Sequence, residues 1–233
     1  MTAKPSRGRY YARSAVTLLA GVRMSRDLVA LVWRPAVAHP VVLQLRRSGL
    51  RFLVRSRMDV WTVKEICLDR DYERVGEPIG GTWTVLDVGA GIGEFAISVA
   101  AAHPDSEVYA FEPAPDAFEL LRRNIELNGV RNVRAFPWAF GCGTTTLAGA
   151  LGELGLTHCD FLKIDCEGCE YETLLGPDAA EGLQRTRRIC LEYHDGARRH
   201  EEIVTALDAA GFDVRLTPNP AYEEIGFLYA RAR

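Results

Sequence analysis

The stretch Thr84–Ala100 constrains the chain more than any other. It begins as a short apolar run, Val85-Leu86-Asp87-Val88, with the character of a strand buried on both faces. Three alternating glycines, Gly89, Gly91 and Gly93, interrupt it. Apolar residues then return at helical spacing, at Phe95, Val99 and Ala102. Strand, glycine turn and helix open a nucleotide-binding α/β unit. Bare backbone lets a ligand lie close, and the start of the helix offers unpaired N–H donors.

The spacing narrows the ligand. A dinucleotide fingerprint, G-x-G-x-x-G, places its third glycine one residue later. Here the pattern is Asp87-x-Gly89-x-Gly91-x-Gly93, with an acid ahead of the first glycine. That arrangement resembles the first motif of class I S-adenosylmethionine (SAM) methyltransferases. Asp87 would accept from the amino group of the cofactor's methionyl part, directly or through water, and would repel a pyrophosphate. A ligand-free turn explains one or two glycines, not three plus the acid.

Charge divides the chain. The overall balance is −3, but residues 1–60 hold 12 Lys/Arg and 2 Asp/Glu, a surplus of +10. The remainder carries −13, which opposes phosphate binding and a nucleic-acid partner. Six cysteines lie in or beside apolar runs, too sparse for a disulfide scaffold, so a reducing cytoplasm is the simpler location. Cys166-Glu-Gly-Cys169, with His158 and Cys159 nearby, has the form of a zinc or redox pair, but packing explains it as well. We expect no metal. No apolar run reaches the ~18 residues of a membrane span, and Arg23, Arg26 and Asp27 cut short any secretory signal.

Residues 1–9 are polar and basic and read as disordered. From Tyr10 to Arg34 the pattern is helical, with Tyr11, Ala15, Leu18, Val22, Val29 and Trp33 on one face and arginines opposite. Two readings stay open: a helix packed on the main domain, or a basic amphipathic helix (residues 10–34) resting on an anionic membrane or docking a lipid-linked substrate. Pro35 and Pro40 end the segment. Leu50–Arg55 reads as a strand and Arg57–Leu68 as a helix. Glu107–Pro113 is the strand after the glycine helix. Its terminal Glu112 falls 19 residues beyond Gly93, where a carboxylate can hold a ribose diol. Pro115–Asn128 is a helix stopped by Gly129. Asn132–Trp138 is a strand ending near an adenine position, and Leu147–Leu156 a short helix. His158–Asp165 and Arg187–His194 are further strands. Arg198–Ala210 is a helix, and Phe212–Leu216 and Ile225–Ala230 close the sheet as an antiparallel pair. Alternation of this kind gives a doubly wound, Rossmann-like α/β fold. The division expected is a basic N-terminal helical extension over 1–49 and the main domain over 50–233.

Several motifs together resemble the FkbM-type SAM-dependent methyltransferases: Asp87-Val-Gly-Ala-Gly-Ile-Gly93, Tyr109-Ala-Phe-Glu-Pro113, Arg123-Asn-Ile-Glu-Leu-Asn-Gly129, Asp160-Phe-Leu-Lys-Ile-Asp-Cys-Glu-Gly-Cys-Glu170 and Leu191-Glu-Tyr-His194. Arg51 to Tyr72 is similar to that family's leading segment. The Leu-Lys-Ile-Asp-x-Glu-Gly-x-Glu block is the most specific. The resemblance implies a seven-stranded class I sheet, SAM as cofactor, and O-methylation of a hydroxyl on a small molecule, sugar or glycolipid. It does not set the oligomeric state. The segment from Trp138 to Leu147 is short for the family, and the cysteines at 166 and 169 replace residues that are commonly small and apolar. The short segment motivates the alternative of a cofactor-binding protein with no turnover.

The candidate cofactor-binding residues are Asp87, Gly89, Ala90, Gly91, Gly93, Glu112, Pro113, Trp138, Ala139 and Asp165. A hydroxyl is a poor nucleophile, so a base is expected near the strand tips. The candidates are Asp165, Glu167, Glu192 and His194, all at the carboxyl ends of expected strands. His194 titrates near neutrality, which suits a base, and a purely structural loop histidine competes with that reading. Glu170 and Glu172 are expected to face solvent. Asn219-Pro-Ala-Tyr222 looks superficially like the Asn-Pro-Pro-Tyr motif of nucleic-acid amino-methyltransferases, but it follows the wrong strand and reads as a loop.

Overall fold

A computed structural model describes residues 7–33, 36–76, 78–141, 143–194, 199–219, 222 and 224–233. The main sheet contains seven strands: β4 (Thr84–Val88), β5 (Glu107–Phe111), β6 (Val133–Phe136), β7 (Phe161–Ile164), β8 (Arg188–His194), β9 (Phe212–Pro218) and β10 (Ile225–Ala232). Their order is β6-β5-β4-β7-β8-β10-β9. The first five are parallel, and β10 runs antiparallel between β8 and β9. The expected doubly wound sheet is thus present, antiparallel closing pair included. β4 and β7 are covered on both faces, and their buried residues are apolar apart from Asp87 and Lys163. Helices α4 (Glu94–Ala102), α5 (Pro115–Asn128), α6 (Leu147–Glu153), α7 (Cys169–Leu175), α8 (Ala179–Gln184) and α9 (His200–Ala209) supply the cover. The order of strands reverses between β4 and β7, and a crevice opens there at their carboxyl ends.

The N-terminal region differs from the single helix expected over Tyr10–Arg34. It contains α1 (Arg7–Gly21), the two-residue β1 (Val22–Arg23) and α2 (Arg26–Trp33). The break comes at Ser25, whose hydroxyl accepts from Leu28 N at 3.1 Å and caps α2. The supposed common face splits accordingly. Val22 is buried, whereas Tyr11, Val29 and Trp33 face outward, Trp33 being 84% exposed. Pro35 lies outside the described residues. Pro40 does not end the segment. It lies inside β2 (Ala36–Leu45), where the pairing with β3 (Arg51–Ser56) shifts register between Ala36 and Val41. A proline is tolerated there because the ladder is already interrupted. β1, β2 and β3 form a second, antiparallel sheet that crosses the boundary drawn at residue 49.

This small sheet shares its core with the main domain: Leu31, Leu43, Phe52 and Val54 pack with Ile92, Ile97 and Leu120. Two asparagines of α5 fix the contact. Asn124 Oδ1 accepts from Leu53 N at 2.7 Å while its Nδ2 donates to the Ile92 carbonyl at 2.9 Å. Asn128 accepts from Arg51 N and donates to Arg51 O. The Arg123–Gly129 motif therefore completes the free edge of β3. After β3, α3 (Arg57–Val63) opens with a Ser56/Asp59 capping box. The helix expected to continue to Leu68 widens into a π turn over Lys64–Asp69, followed by a 3₁₀ turn at Asp71–Glu73. Among the described residues no helix is long and apolar enough to cross a membrane.

Candidate active site

The three glycines do different work. Gly89 has φ +75°, and a Cβ there would overlap the carbonyl oxygen of Asp165, so this glycine lets the ends of β4 and β7 touch. A Cβ on Gly93 would meet Leu121 and Ile97 at 2.6 and 3.0 Å, which is a packing constraint. At Gly91 a Cβ would meet only the Glu94 carboxylate, at 3.4 Å and beyond. Gly91 therefore opens onto free space, a cleft of about 310 Å³ lined by Gly89, Ala90, Gly91, Glu112, Pro113 and Asp165 among others. The size and place suit a small-molecule site. The Gly89 and Ala90 amides donate to the Phe111 carbonyl at 3.0 and 2.9 Å, fixing the turn against β5.

Glu112 stands at the tip of β5 as expected. Its Oε2 accepts from Gly91 N at 2.9 Å and its Oε1 from Ala114 N at 2.8 Å. The carboxylate is locked in place with lone pairs left for a ligand. Asp87 differs from the expectation. It is 0% exposed and does not line the cleft. It pairs with Lys163, itself 1% exposed, at 2.9 Å. The two residues are register neighbours on β4 and β7. Lys163 also donates to the Gly89 carbonyl at 2.6 Å. Asp87 thus reaches the cleft only through the turn it stabilises. Trp138 and Ala139 do not line the cleft either, and Trp138 stacks on Phe111 with centroids 5.7 Å apart.

Asp165, at the end of β7, lines the opposite side of the cleft and gathers there with Glu192 and His194 of β8, which stand beside the lining; the donor atoms of the three lie within 4.8 Å of one another. Tyr72, a residue of the leading segment with no role in the sequence reading, is buried between them. Its hydroxyl donates to Asp165 Oδ2 at 2.7 Å and approaches Glu192 Oε2 at 3.5 Å. The 3₁₀ turn delivers it, after Arg70 in the left-handed region at φ +56°. Glu167 is exposed, has φ +53° and borders the cleft.

Glu170 corrects an expectation. It is 1% exposed, not solvent-facing. Its Oε2 accepts from Gly168 N at 2.6 Å, and its Oε1 lies 3.9 Å from His194 Nδ1. Its position on α7 follows from helical spacing, four residues before the buried Leu174. Glu172 is exposed as expected. The Glu170 carboxylate, helped by Glu192 and Asp165, pushes His194 up to about 9, above the near-neutral range expected from sequence. Burial beside Asp165 pushes Glu192 up to about 8. Below Gly91, burial pushes Glu94 up to about 7, against the bond it accepts from the Thr62 hydroxyl. Cys166 and Cys169 are joined by a disulfide, which replaces the expected pair of packed thiols. Pro220 and Ala221, the centre of the Asn219–Tyr222 motif, lie outside the described residues.

Comparison with known proteins agrees with this geometry. Residues 45–136 match the TRM5/TYW2 methyltransferase domain and residues 142–214 the methyltransferase FkbM domain. The 31-O-demethyl-FK506 methyltransferase FkbM of Streptomyces tacrolimicus is 26% identical over 218 residues, covering 68% of this chain and 84% of that protein. The hexuronic acid methyltransferase AglP of Haloferax volcanii is 29% identical over 215 residues, covering 78% and 85%. The AMB antimetabolite synthetase AmbE of Pseudomonas aeruginosa is 26% identical over 234 residues, 70% of this chain but only 11% of that protein. Among solved structures, a precorrin-6y C5,15-methyltransferase from Geobacter metallireducens shares the fold, with TM-score 0.51, 16% identity, and coverage of 78% and 91%.

Proposed function

We propose that this chain, a class I S-adenosylmethionine-dependent methyltransferase with an FkbM-type domain, methylates a hydroxyl oxygen of a small molecule, sugar or glycolipid. The observation that carries the reading is the cleft itself: bare backbone and a fixed carboxylate on one side, and on the other Asp165, beside which Glu192 and His194 gather. The relatives named for FK506 and hexuronic acid methylation support an oxygenated acceptor.

The bound cofactor supplies an electrophilic methyl group on a sulfonium. In our reading Glu112 would hold the ribose diol, and the Gly89–Gly91 backbone would hold the methionyl part. Asp87 and Lys163 act by positioning that turn. Trp138 and Ala139 border the adenine end beyond β6. Asp165 stands between the walls, near the reacting atoms. Transfer requires acceptor oxygen, methyl and sulfur in line, with water excluded. The acceptor hydroxyl would face Asp165, with Glu192 and His194 beside it and Glu167 at the rim, and this cluster would take up the hydroxyl proton that methyl transfer to oxygen releases.

Residues 50–233 carry the chemistry in this scheme and residues 1–49 are the extension. The exposed Val16, Leu19, Val29 and Trp33, beside the N-terminal arginines, are the surface on which a membrane carrying a lipid-linked acceptor would rest. A cytoplasmic location fits a cofactor made inside cells.

Calorimetric titration with S-adenosylhomocysteine, followed by methyl transfer to a panel of hydroxylated acceptors, tests the reading. We expect binding, and transfer to an oxygen. Absence of binding overturns the assignment; binding with no transfer to any acceptor favours the non-catalytic alternative.

A further inference from the structure

We propose that Asp165, Glu192 and His194 form a binding site for a divalent cation beside the cleft, at its Asp165 edge. The inference deepens the proposed function and rests on that reading for its substrate consequence, though not for the binding itself. The three residues come from the ends of two adjacent parallel strands, so the sheet, not a loop, sets their spacing. Their donor atoms lie within 4.8 Å of one another. A divalent cation with ligand distances of about 2.0–2.2 Å holds neighbouring donors about 3 Å apart and opposite ones about 4.4 Å apart. Side-chain rotation that draws the donors together by about 1–2 Å brings the set into range.

The neighbours are arranged as a metal site requires. Tyr72 donates to Asp165 Oδ2 and approaches Glu192 Oε2, which orients both carboxylates while their remaining lone pairs stay available to a cation. His194 points Nε2 towards Glu192, 3.9 Å away, and Nδ1 towards Glu170, also 3.9 Å away. Glu170 is the independent observation. It is almost wholly buried, and its Oε1 has no hydrogen-bond partner. A buried carboxylate oxygen without a partner is costly. It becomes useful where a histidine must hold its proton on Nδ1 and present the Nε2 lone pair to a metal, the usual outer-shell device. Two carboxylates and one imidazole suit a cation of the Mg²⁺ or Mn²⁺ kind. Its remaining positions would face the cleft. An acceptor offering two adjacent oxygens, a vicinal diol or a hydroxy acid, would occupy them.

The test is Mn²⁺ titration of the cofactor-free protein, followed by electron paramagnetic resonance. We expect one ion per chain. Glu192→Gln and His194→Ala should each weaken binding more than 10-fold. Glu170→Gln, which leaves all three ligands in place, should weaken it about 10-fold through the histidine alone. S-adenosylhomocysteine affinity, measured on the same samples, should stay within about twofold in all three variants, which reports correct folding. No bound Mn²⁺ at millimolar concentration, or binding indifferent to all three substitutions, overturns the cation site. Because Mn²⁺ is titrated without cofactor, loss of the ion site and loss of the methyltransferase reading are separate results.

Discussion

The two walls of the cleft are made of different materials. The Gly89–Gly93 wall is backbone: amides, carbonyls and one carboxylate pinned by two amides. The Asp165 wall is a side chain backed by others, Glu192 and His194 beside it, drawn from the ends of β7 and β8 and held by Tyr72 and Glu170 from elsewhere in the chain. Backbone can be shaped only by removing side chains, so the first wall leaves glycines in the sequence at fixed spacing. A wall of side chains leaves no such trace, because its members meet only when the sheet forms. The same difference predicts how each wall fails under substitution.

The largest effect belongs to the backbone wall. Gly89→Ala places a Cβ on the Asp165 carbonyl in a left-handed conformation. We expect a loss of more than about 4 kcal/mol in stability by denaturant unfolding, with cofactor binding abolished. Next comes Glu94. A carboxyl raised from 4.5 to about 7 binds its proton more tightly when folded. Stability therefore falls as pH rises from about 4.5 to about 7 and is level above that. Glu94→Gln should remove this slope and raise stability at pH 8 by about 2–3 kcal/mol, read from urea midpoints at pH 5 and pH 8. An unchanged slope would show that Glu94 is ionised in the fold.

Gly91→Ala sharpens the contrast within one turn. It should cost only about 1 kcal/mol of stability, for the left-handed backbone, yet reduce S-adenosylhomocysteine affinity more than 10-fold, because the methyl group projects into the cleft. Equal damage from the substitutions at 89 and 91 would break the distinction between a folding glycine and a ligand glycine. The smallest change in the fold is expected from Tyr72→Phe, at about 1 kcal/mol. Cofactor affinity should hold while kcat falls at least 10-fold. A fall in cofactor affinity instead would place Tyr72 on the other wall.

Much of the fold was legible because its signals were local. The apolar runs of β4 and β7, the glycine triplet and the Glu112 tip each carry their own spacing. Lys163 was legible in principle: a lysine inside one buried strand and an aspartate inside its neighbour imply a register pair, but the pairing of β4 with β7 had first to be known. Glu170 is hidden because its charge argues for solvent while its helical phase argues for burial. β2 is hidden because Pro40 reads as a stop, although a register shift accommodates it. The gathering of Tyr72 with Asp165, 93 positions away, had no sequence trace at all.

The asparagine clasp between α5 and β3 has one more implication. Shortening the chain at residue 50 would peel β2 from β3, bare Phe52 and Val54 to water, and leave one side of a strand's amides open to any passing chain. The segment whose contribution to chemistry is least defined would then prove to be a guard against self-association, with light scattering of the trimmed protein as its measure.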